Sequence, residues 1–338
     1  MGTLDKPPVG ILLMAYGTPS SPDEVEPYYT DVRGGRAPTP QLLAELQERY
    51  RMVGGRTPLL EISRAQAAGL QAALDADAPG RYRVYLGMKH WHPYIEAAVR
   101  EMAADGVREA LAVALAPHYS RLSIGGYISR IEAAQAKLAA ERAVNGGGAG
   151  VAGETAAEPI HFTYVESWHD EPLFWQAVAE RARAALDTSF APEERAGIFV
   201  LFTAHSLPQR IREWDDPYQR ELLATARGVA GELGLAEGRW DFAFQSAGRT
   251  PEPWLGPDIL EKVRELVARG ERSILVCPIG FIADHLEIFY DIDVEARQLA
   301  GELGVHLERI EMLNARPSLV AALDAVVREQ TPARANAG

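Results

Sequence analysis

Short apolar runs of strand length recur along this sequence, and almost every one is followed by a segment of helical periodicity. Val9–Ala15, Tyr82–Met88 and Ala110–Ala116 read as buried strands, with helical patterns near Pro93–Ala104 and Ile124–Arg142. Further strands are expected near His161–Glu166, Gly197–Thr203, Asp241–Gln245 and Ser273–Cys277, each again followed by a helical pattern. Alternation of this kind implies parallel sheets covered by helices, an α/β fold. Local punctuation agrees. Thr39-Pro40 supplies an N-cap and a first-turn proline for a helix through about Arg51, and Gly54-Gly55 stops it.

At 338 residues the chain exceeds what one core usually sustains, so two α/β units are expected: residues 1–160 and 161–314, with a C-terminal helix at 315–332 packing back on the first. Residues 145–158 are rich in glycine and alanine without apolar period and read as a flexible surface loop. Two such halves place a ligand in the cleft between strand ends. Asp and Glu number 47 against 34 Lys and Arg, a net charge of −13 that argues against nucleic acid as the partner. The lone Cys277 permits neither an internal disulfide nor an iron–sulfur cluster and fits a reducing compartment. No secretory signal or apolar span of membrane length is seen, so a cytoplasmic protein without a membrane span is expected.

The chemistry concentrates at strand ends. Phe199–Thr203 runs into Ala204-His205-Ser206-Leu207-Pro208, which sets an imidazole at a carboxyl strand end. Such a histidine can move a proton or ligate a metal, though by itself it reads as readily as a loop residue satisfying one hydrogen bond. Ser206 lacks the G-x-S-x-G elbow of a serine hydrolase. After Ser273–Cys277 comes PIGFIADHLE, continuing to Glu295. Glu287, Asp291 and Glu295 are spaced i, i+4, i+8, which on an α-helix puts them on one face over about 12 Å. With no Lys or Arg interleaved, that row calls for a cation, unless it is merely a solvated acidic stripe. Oxygen donors suit a divalent ion in transit, and His205 adds a nitrogen suited to iron.

A third set is aromatic and cationic: Tyr16, Tyr28, Tyr29, Arg33, Arg36, Arg49, Tyr50, Arg51 and Arg56, with Tyr119, Arg121 and Tyr127 later. Most could be ordinary helix-surface residues, but a flat ligand with several carboxylates would need such rings and guanidinium forks. His90, Trp91 and His92 are secondary candidates.

Taken together, LLMAYGTP, GGRTPL, LAPHYS, FTAHSLP, FQSAGRTPEPWLGPD and PIGFIADHLE resemble the ferrochelatase family nearly end to end, and Tyr16 makes the chain most similar to its monoderm-type coproporphyrin III branch. The resemblance implies two Rossmann-like domains with a macrocycle between them. It implies a lyase-class chelatase that inserts ferrous iron into a porphyrin, most simply coproporphyrin III, to give coproheme in haem biosynthesis. On it, His205 and Glu287 match the pair that binds iron and handles the displaced protons. Tyr16 matches an axial tyrosine, and Arg33, Arg49, Tyr50, Thr57 and Tyr127 match positions lining the tetrapyrrole site. Asp291 and Glu295 match outer acidic positions that hold or pass the cation. No cofactor beyond substrate Fe²⁺ is implied, no iron–sulfur cluster is expected, and a coproheme decarboxylase would act downstream. Ala247 departs from the family, which often carries a glutamate or arginine there. A non-catalytic tetrapyrrole or metal carrier, a protoporphyrin IX enzyme and a sirohydrochlorin-type chelatase are the alternatives.

Overall fold

A computed structural model describes residues 7–145, 158–248 and 250–331. Strands β1 (Val9–Ala15), β2 (Tyr82–Met88), β3 (Glu109–Ala114) and β4 (His161–Val165) form one parallel sheet in the order β2-β1-β3-β4. Strands β5 (Phe199–His205), β6 (Trp240–Gln245), β7 (Ser273–Pro278) and β8 (His306–Arg309) form a second, in the order β6-β5-β7-β8. The central strands are buried on both faces, which is why they lack alternation: Ile11, Leu12 and Leu13 in β1 and Leu201 and Phe202 in β5 are fully buried. Each such side chain contributes about 1.5–3 kcal/mol.

The helices of the first half are α1 (Val25–Val32), α2 (Pro40–Met52), α3 (Leu59–Asp77), α4 (Ile95–Ala104) and α5 (Ile124–Asn145). Those of the second are α6 (Pro172–Ser189), α7 (Tyr218–Leu233), α8 (Ile259–Ala268), α9 (Arg297–Glu302) and α10 (Pro317–Gln330), with a π-helix over Ile288–Ala296. The Thr39 hydroxyl caps α2 by accepting from Leu42 N, as the sequence predicts. Helix α10 lies across α3 and α6, and Arg328 reaches Asp77 at 3.1 Å. Among the described residues no helix is long and apolar enough to cross a membrane.

The expected boundary at 160/161 is corrected. Strand β4 pairs with β3, Glu109 opposite His161, so it closes the first sheet rather than opening the second. The glycine-rich stretch expected as a surface loop falls in the crossover from α5 to β4, within the first unit; the loop itself lies outside the described residues, apart from its two ends. In both sheets the central strand ends where connections diverge to either side, the place where open α/β sheets present their ligand sites.

Candidate active site

Strand β5 delivers His205 at its last position, and several bonds fix it there. The Tyr218 hydroxyl donates to the His205 carbonyl at 2.9 Å, and Nδ1 hydrogen-bonds the Ser206 carbonyl. With Nδ1 as donor, Nε2 is the nitrogen left for chemistry, and it lies 3.4 Å from Glu287 Oε1. Glu287 is held by its own backbone, whose carbonyl accepts from Gln245 Nε2 at 3.2 Å; Gln245 in turn accepts from Thr203 at 2.8 Å. Gly280 allows the loop after β7 to close under β5: a Cβ there would stand 2.8 Å from Ala204 Cα. The rings of Trp254 and Phe281 flank the imidazole, with centroids 6.4 and 6.5 Å away.

Burial works against the charge on His205, but the Glu287 carboxylate outweighs it and raises the imidazole to about 9. Burial likewise disfavours Glu287 as an anion, yet His205 and then His285, whose Nε2 sits 3.4 Å from Oε2, hold it well below the usual carboxylate range. At neutral pH the two form an imidazolium–carboxylate pair. The i+2 spacing of His285 and Glu287 in PIGFIADHLE is the sequence signal for this second contact.

The acidic row does not behave as three equivalent carboxylates on an α-helix. The segment is π-helical, and its members differ. Asp291 is buried, accepts from the Ser246 hydroxyl, and lies 3.8 Å from Arg49 Nη1; burial first and Glu287 second push its carboxyl up to about 7. Glu295 lies beside Tyr290, whose hydroxyl is pushed up by burial first and the Glu295 charge second. A cation therefore already faces the row: Arg49, whose guanidinium also covers the Tyr290 ring at 4.6 Å. It is carried on α2, far along the chain from the row it faces. Among the described residues no three His, Cys, Asp or Glu side chains are arranged to hold a metal, so His205, Glu287, Asp291 and Glu295 do not form one cage; the first two meet, and the others are engaged elsewhere.

The opposite wall is built from the end of β1. Tyr16 is 44% exposed, yet burial by the surrounding protein and then the field of Glu287 raise its hydroxyl far above the ordinary value. The field of Glu287 reaches the Tyr16 hydroxyl, so the end of β1 and the loop after β7 approach one another. Gly17 at φ +101° makes the turn beside it, where a Cβ would lie 2.8 Å from Trp91 N. Behind, Thr18 joins the Tyr50 hydroxyl at 3.3 Å and the Thr57 hydroxyl at 2.9 Å. His90 packs on Tyr16 with centroids 4.7 Å apart and is anchored by Asp31 at 2.7 Å. Tyr127 is buried beneath Lys89, whose ammonium lies 5.1 Å from its ring. Arg33 stands apart at the end of α1, donating to the Arg36 carbonyl and covering Tyr29.

A profile described as Ferrochelatase matches residues 8–331. The chain belongs to the ferrochelatase family. Among its relatives, a ferrochelatase of Herpetosiphon aurantiacus is 47% identical over 320 residues, covering 95% of this chain and 98% of its own. A coproporphyrin III ferrochelatase of Geobacillus thermodenitrificans is 42% identical over 324 residues, covering 95% and 96%. Among solved structures, SirB from Bacillus subtilis with Fe³⁺ superposes with a TM-score of 0.55 at 13% identity, covering 95% of each chain, which shows a shared fold. The family resemblance carried by the motifs and the two-unit chelatase architecture are thus both borne out.

Proposed function

We propose that this ferrochelatase-family protein inserts ferrous iron into coproporphyrin III in preference to other porphyrins, giving coproheme. Support for the ring comes from Tyr16 and from relatives named for that substrate. The observation that carries the reaction is the His205–Glu287 pair, 3.4 Å apart, whose carboxylate field reaches Tyr16 at the end of β1.

Insertion must strip water from the ion, turn pyrrole lone pairs out of plane and remove two N–H protons. Walls from both units hold the ring in that bent geometry. His205 and Glu287 share the proton and metal work: the proton resting on Nε2 must move before that nitrogen can ligate, and Glu287 is the neighbouring base and oxygen donor. Asp291, with a carboxyl poised near neutrality, and Glu295 beyond it pass cation or protons outward. Tyr50, Thr57 and Tyr127 back the wall on which the ring rests, and Arg33 offers a fork to its carboxylates. Arg49 reaches a ring carboxylate only by sharing its contact with Asp291. No resident cofactor is needed, a decarboxylase consumes the product, and buried Cys277 suits a reducing cytoplasm.

The test is metal insertion followed by absorbance under anaerobic conditions, with coproporphyrin III and protoporphyrin IX side by side. Faster turnover of coproporphyrin III is expected. The reverse ranking would overturn the ring assignment, and tight binding without insertion would make the protein a carrier.

A further inference from the structure

Five carboxylates crowd the segment from Asp284 to Glu295: Asp284, Glu287, Asp291, Asp293 and Glu295. Their mutual repulsion would loosen the segment unless opposed, and a π-helix is not a conformation that short-range preference supplies. The structure divides the five into two groups. Glu287 meets His205, Asp291 meets Ser246 and Arg49, and Glu295 meets Tyr290. Asp284 and Asp293 converge instead on one guanidinium, that of Arg309 at the end of β8.

Arg309 binds as a fork. Its Nε and Nη2 donate to the two oxygens of Asp293 at 2.8 and 2.9 Å, and Nη2 lies 3.2 Å from Asp284 Oδ1. Nη1 donates to the Ile310 carbonyl at 2.9 Å, and the guanidinium covers the Phe289 ring at 5.8 Å. The arginine side chain is only 12% exposed, so these charges meet largely out of water, where a bidentate pair holds its geometry best. Asp284 is secured a second time, accepting from Asn314 Nδ2 at 2.7 Å while its N–H donates to Asn314 Oδ1 at 2.9 Å. Asp284 precedes Glu287 and Asp293 follows Asp291, so one side chain grips the segment on both sides of the stretch that carries Glu287 and Asp291.

We propose that Arg309 is a positioning residue for the metal substrate: by bridging Asp284 and Asp293 it holds the π-helical register that sets Glu287 opposite His205 and Asp291 against Ser246. The identity of the cation rests on the chelatase reading, whereas the clamp rests on geometry alone.

The experiment uses the purified full chain with Zn²⁺, a closed-shell probe without redox chemistry, and coproporphyrin III. In Arg309→Gln the apparent KM for Zn²⁺ rises about tenfold while the porphyrin KM stays within about twofold, the scale expected when a partner behind a metal ligand is lost. Electrostatics alone predicts the opposite sign, because removing a cation beside these acids draws Zn²⁺ in. Arg309→Lys keeps the charge without the fork and recovers only part of the loss. Adding Asp293→Asn to Arg309→Gln costs little more, since the two side chains act as a unit. Hydrogen exchange over residues 284–296, measured without metal or porphyrin, is faster in Arg309→Gln than in the unaltered protein. An unchanged or lowered KM for Zn²⁺, an equal rise in the porphyrin KM, or unchanged exchange overturns the proposal. If Arg309→Gln does not fold, Arg309→Lys and Asp293→Asn are read by the same criteria. Failure of the unaltered protein to insert any metal removes the chelatase reading, and the exchange measurement still decides the clamp.

Discussion

Strands β1 and β5 hold equivalent places in two sheets of the same order, yet they present opposite chemistry to the cleft. β1 leads into Tyr16, in a wall whose tyrosines and His90 are held in their neutral forms. Burial raises the hydroxyls of Tyr16, Tyr28, Tyr50 and Tyr127, and lowers His90 to about 4. β5 ends at His205, in a wall where an imidazolium faces a carboxylate and charge survives burial because each group stabilises the other. The fold repeats and the chemistry does not. A neutral aromatic wall suits a flat ring, and a charged wall suits an ion and the protons it displaces. Position comes from the architecture, function from the side chains grafted onto it.

The sharpest way to break this contrast is His205→Ala, for which kcat for metal insertion falls by about 10³-fold with circular dichroism and thermal unfolding unchanged. Retention of a tenth of the activity would mean that the charged wall does not carry the chemistry.

Next comes His118, which follows β3 as the loop to Glu287 follows β7. It is buried and bonded to Thr225 Oγ1 at 2.9 Å. The Thr225 hydroxyl donates to the His169 carbonyl at 2.8 Å, so His118 Nε2–H is the donor to Thr225 Oγ1. Burial first, and His169 second, lower His118 to about 3, whereas the unfolded chain protonates near 6.5. The unfolded state therefore binds more protons between those values. Stability is full above pH 6.5 and is lost as pH falls toward 3, by about 3 kcal/mol between pH 7 and 4. Denaturant titrations at both pH values should show a drop smaller by about that amount in His118→Gln; equal drops would remove His118 as the cause.

Glu287→Gln keeps the shape and removes the charge, and kcat is expected to fall about 10²-fold, with the His205 imidazole titrating nearer its ordinary value by NMR. An unmoved titration would show that the ion pair is not what charges the imidazole. Smallest is Tyr16→Phe, which deletes one hydroxyl from the neutral wall and should lower kcat by at most about tenfold. A loss as deep as that of His205→Ala would make the two walls equals.

Much of the second wall was legible because its parts are contiguous: a strand running into His205 and a strand-end loop running into Glu287 are local patterns. The missed features depend on distant partners. Arg49 reads from the sequence as a ring-lining residue, but its pairing with Asp291 joins α2 to a segment far along the chain, and nothing in the spacing of the acids announces that contact. The π-helix escapes a reading that assumes 3.6 residues per turn, and β4 escapes because strand length does not say which sheet a strand joins.

What the chain determined by itself was therefore its alternation of buried strands and amphipathic helices, the positions of the strand ends, and the kinds of side chain placed there. Burial and periodicity are properties of neighbouring residues. Which of those side chains meet, which carry charge and which carboxylates remain for the cleft were decided only on packing, because an ion pair and a shifted proton affinity depend on what lies across a gap in space, whatever the distance along the backbone.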